Sequence, residues 1–191
     1  MKTRESGMPP EGSWNSFFSP QKTLLALGLT ERCSTAVDFG CGYGTFSIPA
    51  ARLIRGTVYA LDIDPEMVAV TKAKADAEHL PNLVARQCDF DESGTGLDDA
   101  MADYVMLFNI LHTERPYALL REARRILNRS GILAVMHWNY DSTTPRGPSM
   151  GIRLRPQQCI DIVREFGFTI EMNALTQIPP YHYGFVASRA E

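Results

Sequence analysis

Hydrophobic and polar positions follow two different periodicities between residues 35 and 167. Short apolar runs predict buried strands, and longer stretches with apolar residues at every third or fourth position predict helices. The predicted strands are 35–39, 57–62, 83–88, 103–110 and 130–138, and the predicted helices are 45–55, 65–78, 115–127 and 156–166. Strands and helices that alternate at this spacing are typical of parallel βαβ units. The pattern therefore predicts an α/β protein with a doubly wound, mostly parallel sheet and helices on both faces.

The last part of the chain departs from this alternation. Residues 169–175 and 182–188 both have strand character, with about six residues between them. A parallel crossover needs a dozen or more residues, so these strands are either antiparallel neighbours or not neighbours at all. We expect a seven-stranded sheet that ends in an antiparallel hairpin.

The N-terminal part has a character of its own. Residues 1–13 look like a loose leader, and a helix begins near Ser19 and Pro20, with Ser19 as its N-cap. The intervening aromatic residues are Trp14, Phe17 and Phe18. We divide the chain into an N-terminal leader and helix, 1–30, and one folded domain, 31–191. The N-terminal part could close as a lid over a site, or its aromatic residues could cover the core permanently.

Composition narrows the class of protein. The chain has 191 residues, of which 45% are hydrophobic and 21% charged, as in an ordinary globular domain. The net charge of −3 weighs against a nucleic-acid partner. No apolar run is long enough to span a membrane, and the first residues have no hydrophobic signal segment, so we expect a cytoplasmic protein. Its four cysteines contain no CxxC pair, so we expect free thiols and no metal site.

A glycine-rich loop follows the first strand. Asp38, Gly40, Cys41, Gly42 and Gly44 give the spacing D-x-G-x-G-x-G. Glycines permit a tight turn and let backbone N–H groups approach a ligand closely. The nicotinamide dinucleotide fingerprint G-x-G-x-x-G is not met, because its third glycine position is Thr45. The loop alone is a weak signal, since a packing turn would have the same composition.

Two further acidic positions strengthen that signal. Asp62 ends the second strand, where a carboxylate can accept hydrogen bonds from both hydroxyls of a ribose. Its alternative role, capping the next helix, suits Asp64 before Pro65 better. After the third strand, Asp89 can accept a hydrogen bond from the amine of adenine, and Phe90 can offer an apolar surface to the ring. The carboxyl ends of three adjacent parallel strands meet at one crevice.

Together these pieces resemble the class I S-adenosylmethionine-dependent methyltransferases. The resemblance covers roughly residues 35–188. The matching segments are VDFGCGYGT (37–45), YALDIDPEMV (59–68), CDF (88–90), DYVMLFNILH (103–112) and RILNRSGILAV (125–135). The nearest likeness is to small-molecule methyltransferases of the ubiquinone-biosynthesis or arsenite type. The four scattered cysteines do not establish an arsenite site, and the sequence after the fourth strand is not the Asn/Asp-Pro-Pro-Tyr tetrad common in nucleic-acid and protein amide methyltransferases.

The resemblance implies S-adenosylmethionine as the cofactor and a set of residues that hold it. Asp38 is expected to hold the methionine amino group, Asp62 the ribose and Asp89 the adenine, with the loop glycines along the methionine portion. Asn109 would lie near the sulfonium. The full implied set is Asp38, Gly40, Cys41, Gly42, Asp62, Ile63, Asp89, Phe90 and Asn109.

Other residues are candidates for the acceptor side. His112 follows the fourth strand and His137 ends the fifth, so either could act as a base if the acceptor must lose a proton, or could be structural. The aperiodic stretch 138–155 is long enough to form a lid, and its arginines could pair with a carboxylate or phosphate on the acceptor, or be solvated. The predicted acceptor-contacting residues are Trp14, Phe18, Trp138, Tyr140, Arg146 and Arg153.

The resulting prediction is methyl transfer from S-adenosylmethionine to a small-molecule acceptor, without a nucleic-acid or membrane partner. A non-catalytic S-adenosylmethionine-binding regulatory module would carry the same cofactor motif and remains an alternative. A nicotinamide-dependent oxidoreductase is less favoured, because Thr45 breaks its fingerprint and the terminal hairpin does not suit its fold. The identity of the acceptor and the oligomeric state are left open.

Overall fold

An eight-stranded sheet lies at the centre of the computed structural model, which describes residues 9–90 and 92–190. The strand order is β3-β2-β1-β4-β5-β8-β6, with β7 paired to β8. The strands are β1 (Thr35–Phe39), β2 (Thr57–Asp62), β3 (Leu83–Gln87), β4 (Ala102–Phe108), β5 (Leu127–Trp138), β6 (Phe168–Thr169), β7 (Thr176–Ile178) and β8 (His182–Arg189). The helices are α1 (Glu11–Asn15), α2 (Pro20–Ala26), α3 (Ser47–Leu53), α4 (Pro65–Ala77), α5 (Pro116–Ile126) and α6 (Pro156–Glu165).

The sheet topology confirms the predicted fold class. Strands β3, β2, β1, β4 and β5 are parallel, and β8 runs antiparallel to β5, β6 and β7. The order reverses at β1, because β2 and β3 lie on one side of it and β4 and β5 lie on the other. Ligands bind at such a switch point in open α/β sheets.

The prediction of a continuous strand over residues 169–175 is wrong. Only Phe168–Thr169 and Thr176–Ile178 pair with β8, so two short strands replace one and the sheet has eight strands instead of seven. Between them Asn173 has φ +67, a left-handed conformation that extended strands do not adopt. The antiparallel hairpin itself is present, formed by β7 and β8.

Helix starts illustrate which sequence signals are reliable. Asp64 caps α4 as predicted, and its Oδ1 accepts the N–H of Glu66 at 3.0 Å. Ser19 also occupies the N-cap position of α2, but its side chain makes no capping hydrogen bond. Pro20 at the first helical position is therefore the more informative signal there.

Helices cover both faces of the sheet and bury a core on each. On one face α5 and α6 pack their apolar sides onto the sheet, with Leu120 and Val163 fully buried. On the other face α2 and α3 do so, with Leu24 and Ala50 fully buried. Phe18, ahead of α2, belongs to this second core.

Two further findings concern the whole described chain. None of its helices combines the length and the apolar character that crossing a membrane requires. All four cysteines are buried and none forms a disulfide.

Candidate active site

The glycine loop connects β1 to α3 and has a backbone that only glycine tolerates well. Gly40 has φ +76 and Gly42 has φ +51. A Cβ atom on Gly40 would lie 2.9 Å from Cδ1 of Ile110, so a larger residue would strain the backbone and displace the end of that side chain. The N–H groups of Gly40 and Cys41 both donate to the carbonyl of Leu61, at 2.8 and 2.9 Å, and tie the loop to β2.

Asp62 links the glycine loop to the turn after β2. Its Oδ2 accepts the N–H of Gly42 at 2.8 Å, and its Oδ1 accepts the N–H of Asp64 at 2.9 Å. The side chain is 8% exposed, and burial raises the pKa of its carboxyl above the ordinary value. Each carboxylate oxygen has a second lone pair, so Asp62 can still accept hydroxyl donors from a ligand.

Asp38 lies beneath the same loop at the end of β1. Its Oδ2 accepts the hydroxyl of Ser47 at 2.5 Å, and the residue is 3% exposed. Burial raises the pKa of Asp38 to about 7, with a further contribution from the charge of Asp62. A cation beside Asp38 would stabilise its ionised form.

A cleft of about 500 Å³ opens at the carboxyl ends of β2 and β3. Its lining includes Ile63 and Asp89, both predicted at the adenine end of the site. Phe90, predicted to offer an apolar surface to the adenine, lies directly after Asp89 and is partly buried. Its ring packs on Phe39, with centroids 4.8 Å apart, at the border of the core.

Asn109 follows β4 and faces the other half of the crevice. It has φ +54, and its N–H donates to the carbonyl of Met136 at 2.8 Å. Its Nδ2 lies 3.3 Å from Nε2 of His182, at the start of β8. Asn109 Oδ1 is buried and has no hydrogen-bond partner within the described residues.

The two predicted catalytic histidines lie together. The rings of His112 and His137 have centroids 5.5 Å apart. His137 is fully buried, and burial, reinforced by the neighbouring His112, lowers its pKa to about 3. Such a group is a weak proton acceptor, so this environment does not favour His137 as a general base.

An aromatic cluster covers the edge of the sheet beside Asn109. Its members come from the N-terminal segment (residues 9–18), from the end of β5 and from the start of β8. They are Trp14, Phe17, Phe18, Trp138, Tyr181 and His182. The rings of Trp138 and His182 have centroids 4.2 Å apart, and those of Phe18 and His182 4.8 Å apart. The predicted acceptor residues Trp14, Phe18 and Trp138 are thus brought together.

Arg153, predicted to contact the acceptor, lies within its own loop. It is 7% exposed, and its guanidinium donates to the carbonyls of Asn139, Asp141 and Pro148 at 2.8–3.1 Å. It also donates to the Thr144 hydroxyl at 2.6 Å. Arg153 therefore holds the loop of residues 139–155 together from within.

The two other predicted residues of this loop are Tyr140 and Arg146. Tyr140 carries the guanidinium of Arg155 over its ring at 3.8 Å and is outside the aromatic cluster. Arg146 is exposed.

Sequence reasoning missed Tyr181 and His182. The segment Pro179-Pro180-Tyr181 has the composition of a turn, which gives no sign of a site. The register of β8 against β5 pairs Trp138 with His182, which places His182 next to a predicted acceptor residue. Knowledge of that register, which a single sequence does not contain, would have identified it.

The N-terminal segment rests directly on the glycine loop. Tyr43 donates its hydroxyl to the carbonyl of Pro9 at 2.9 Å, and Lys74 contacts both Glu11, at 2.5 Å, and the carbonyl of Tyr43, at 2.7 Å.

Within the described residues, no group of three or more His, Cys, Asp or Glu side chains is arranged to hold a metal ion. The crevice is thus bounded by the glycine loop, the cleft, Asn109 and the aromatic cluster.

The chain is similar in sequence to known proteins. Residues 37–135, just over half of the chain, match a family model described as a methyltransferase domain. A ribosomal protein L11 methyltransferase from Dechloromonas aromatica is 41% identical over 61 residues, which are 32% of this chain and 20% of that protein. An uncharacterized 37.1 kDa protein in transposon TN4556 from Streptomyces fradiae is 29% identical over 119 residues, which are 62% of this chain and 34% of that protein. The chain thus spans between a fifth and about a third of the length of these relatives.

A solved structure agrees over nearly the whole chain. The crystal structure of an S-adenosylmethionine-dependent methyltransferase from Aquifex aeolicus superposes with a TM-score of 0.84 at 22% identity, covering 96% of this chain and 100% of that one. At this identity the likeness concerns the fold. The family match covers the glycine loop, Asp62, the cleft and Asn109 in one continuous stretch. The chain therefore belongs to the methyltransferase domain family, whose cofactor is S-adenosylmethionine.

Proposed function

We propose that the chain binds S-adenosylmethionine in the crevice at the carboxyl ends of β1–β4 and transfers its methyl group to a small-molecule acceptor. The observation that carries this proposal is the junction of two sites. A glycine loop held by Asp62 lies on one side of Asn109, and the aromatic cluster lies on the other. One ligand can therefore be held on each side of the point at which transfer would occur.

The residues of the first side fit the cofactor. Asp38 is buried with a raised pKa, so the ammonium of the methionine portion would stabilise its ionised form. Gly40 leaves the space beside Ile110 that a side chain would fill. Asp62 has lone pairs left for the ribose, and Ile63 and Asp89 line a cleft large enough for a purine.

Alignment is the main task that this chain would perform. S-adenosylmethionine supplies a methyl group already activated by its sulfonium, so the transfer is an in-line displacement that depends on positioning. Asn109, held by its backbone bond to Met136, would fix the boundary between donor and acceptor. His112 would contact the acceptor, and the aromatic cluster would exclude water from it.

The enclosure of the second side favours a small acceptor. The region beside Asn109 is bounded by the aromatic cluster and by a loop that Arg153 holds in place. The acceptor would have to enter beneath the N-terminal segment, which admits a small molecule more readily than a folded protein or an RNA.

Transfer of a radiolabelled methyl group tests this proposal. The protein is incubated with S-adenosyl-[methyl-³H]methionine and with separate small-molecule, protein and RNA fractions of a cell extract. We expect label to enter the small-molecule fraction and to be lost with Asp62→Ala. Label in the protein or RNA fraction would overturn the small acceptor. Tight cofactor binding with no transfer to any fraction would favour the regulatory module.

A further inference from the structure

His182 is a buried polar group surrounded by aromatic rings. It is 1% exposed and contacts the rings of Trp138 and Phe18. Its Nε2 faces Asn109 Nδ2 at 3.3 Å, while its Nδ1 has no hydrogen-bond partner within the described residues. Asn109 Oδ1 is also buried and has no hydrogen-bond partner within the described residues. Two buried atoms of one contacting pair are therefore left without partners.

Either assignment of the protons leaves one donor and one acceptor unused. If Asn109 donates to Nε2, then the proton of His182 is on Nδ1, and Asn109 Oδ1 can still accept. If the amide of Asn109 is turned the other way, the same two positions exchange roles. A buried polar group without a partner is costly to fold, so such a group points to a ligand that would complete it.

The surroundings of this pair select the chemical class of that ligand. Burial, together with the charge of Arg153, lowers the pKa of His182 to about 3, so the imidazole is neutral at physiological pH. Arg153 itself is directed at the carbonyls of its own loop. The other side chains of the cluster are aromatic, which favours a flat, uncharged ligand.

One wall of the cluster can move more easily than the other. Trp138 and His182 belong to paired strands β5 and β8, whereas Trp14 and Phe17 lie in and after a helix of five residues and are only partly buried. The observed centroid distances of 4.2–6.5 Å are those of rings in direct contact, with no gap for another ring. A ligand would therefore enter by displacing the N-terminal segment.

We propose that Asn109 and His182 form the recognition point for an uncharged planar aromatic acceptor that carries a hydroxyl group. The aromatic part lies among the rings of the cluster, and the hydroxyl both accepts a hydrogen bond from the pair and donates one to it. His182 is a positioning residue in this arrangement, since it orients the acceptor beside Asn109. The inference rests on the proposed function, because that function places the methyl donor on the other side of Asn109.

The two tryptophans of the chain make the cluster directly observable. Trp14 and Trp138 are the only tryptophans in the sequence, and both belong to the cluster. NMR spectra of ¹⁵N-labelled protein saturated with S-adenosylhomocysteine would show their two indole N–H resonances. These resonances would report on ligand entry into the cluster. The probes are 2-naphthol, naphthalene, which lacks the hydroxyl, and 2-naphthoate, which is charged.

We expect 2-naphthol to shift both indole resonances in a saturable way, naphthalene to bind about tenfold more weakly, and 2-naphthoate not to bind. His182→Phe keeps an aromatic ring but removes the nitrogens, so it should abolish the preference for 2-naphthol over naphthalene. His182→Gln, which can still donate and accept, should restore part of it. His79→Gln, at an exposed histidine outside the cluster, is the matched control and should change nothing.

The outcomes separate this inference from the proposed function. If S-adenosylhomocysteine binds and none of the probes moves the indole resonances, the cluster is a closed core and the inference is wrong. Equal affinities for 2-naphthol and naphthalene would also overturn it, as would a preference that survives in His182→Phe. If S-adenosylhomocysteine fails to bind while 2-naphthol binds with the expected preference, the proposed function fails and the recognition point stands.

Discussion

The half of the crevice formed by β1, β2 and β3 differs from the half formed by β4, β5 and β8 in how its buried polar groups are satisfied. In the first, Asp62 accepts two backbone N–H groups and Asp38 accepts the Ser47 hydroxyl. In the second, Asn109 and His182 contact one another, and each leaves an atom without a partner among the described residues. In the first half the buried carboxylates are hydrogen-bonded, whereas the aromatic second half contains these two buried polar atoms without partners in the described part of the chain.

This difference suggests two modes of binding. A preformed polar site can accept a ligand without rearrangement, because its backbone is already held in place. An aromatic site whose rings are in contact must open before it can bind, so part of the interaction free energy is used to separate them. We therefore expect the first half to bind its ligand independently of the N-terminal segment, and the second half to depend on it.

The largest effect is expected at Arg153, which supports the aromatic half. Arg153→Met would leave several loop carbonyls without donors and should lower the free energy of unfolding by about 4 kcal/mol. Urea denaturation would measure the loss. Arg129→Met, at an exposed arginine, is the control and should change stability by less than about 0.5 kcal/mol. An equally small effect at Arg153 would show that the loop does not need this residue.

Asp62→Ala should weaken binding of S-adenosylhomocysteine by roughly 2–3 kcal/mol, since it removes the predicted ribose acceptor from the polar half. The variant should also lose some stability, because the N–H groups of Gly42 and Asp64 lose their acceptor. Calorimetry and thermal unfolding separate the two effects. Unchanged affinity together with a lowered melting temperature would mean that Asp62 serves only the loop.

Two truncations sharpen the comparison at the N-terminal segment. Deleting residues 1–15 removes Trp14 but keeps Phe18, so we expect nearly unchanged stability and faster loss of a bound aromatic probe. Deleting residues 1–18 also removes Phe18, which is buried in the core, and should cost about 2 kcal/mol. If the shorter deletion lowers stability as much as the longer one, the whole segment is core and does not act as a lid.

The smallest effect is a pH dependence in the polar half. The folded-state pKa of Asp38 is about 7, above its ordinary 3.8, so its contribution to stability is present below about pH 4 and is lost as pH rises through 7. A ligand ammonium favours the ionised form, so affinity for S-adenosylhomocysteine should rise about tenfold between pH 6 and pH 8. Methylthioadenosine, which lacks the α-amino group of the methionine portion, should show no such rise. Calorimetric titrations across this range provide the measurement, and equal pH dependence for both ligands would contradict the role of Asp38.

The sequence predicted the polar half much better than the aromatic half, and the reason is physical. Asp38, Gly42 and Asp62 owe their positions to strand ends and to a backbone that needs glycine, which are local properties of the chain. His182 meets Trp138 through the register of two strands more than forty residues apart, which no local pattern encodes. Arg153 could not be placed either, because its partners are backbone carbonyls, which every residue has.

The split of the predicted strand at residues 169–175 has a similar cause. The segment has strand character, yet its turn depends on Asn173 in a left-handed conformation that asparagine permits but does not require. Phe90 also followed its local signal only in part, since it follows β3 as predicted but turns toward Phe39 in the core. Element types were thus more predictable than the directions of individual side chains.

Calorimetric titration of the wild-type protein with S-adenosylhomocysteine and, separately, with NADH tests the central claim most directly. The account predicts micromolar binding of S-adenosylhomocysteine with one site per chain, and no heat of binding with NADH. Binding of NADH without binding of S-adenosylhomocysteine would contradict it, because the loop spacing, Asp38 and Asp62 would then hold a dinucleotide.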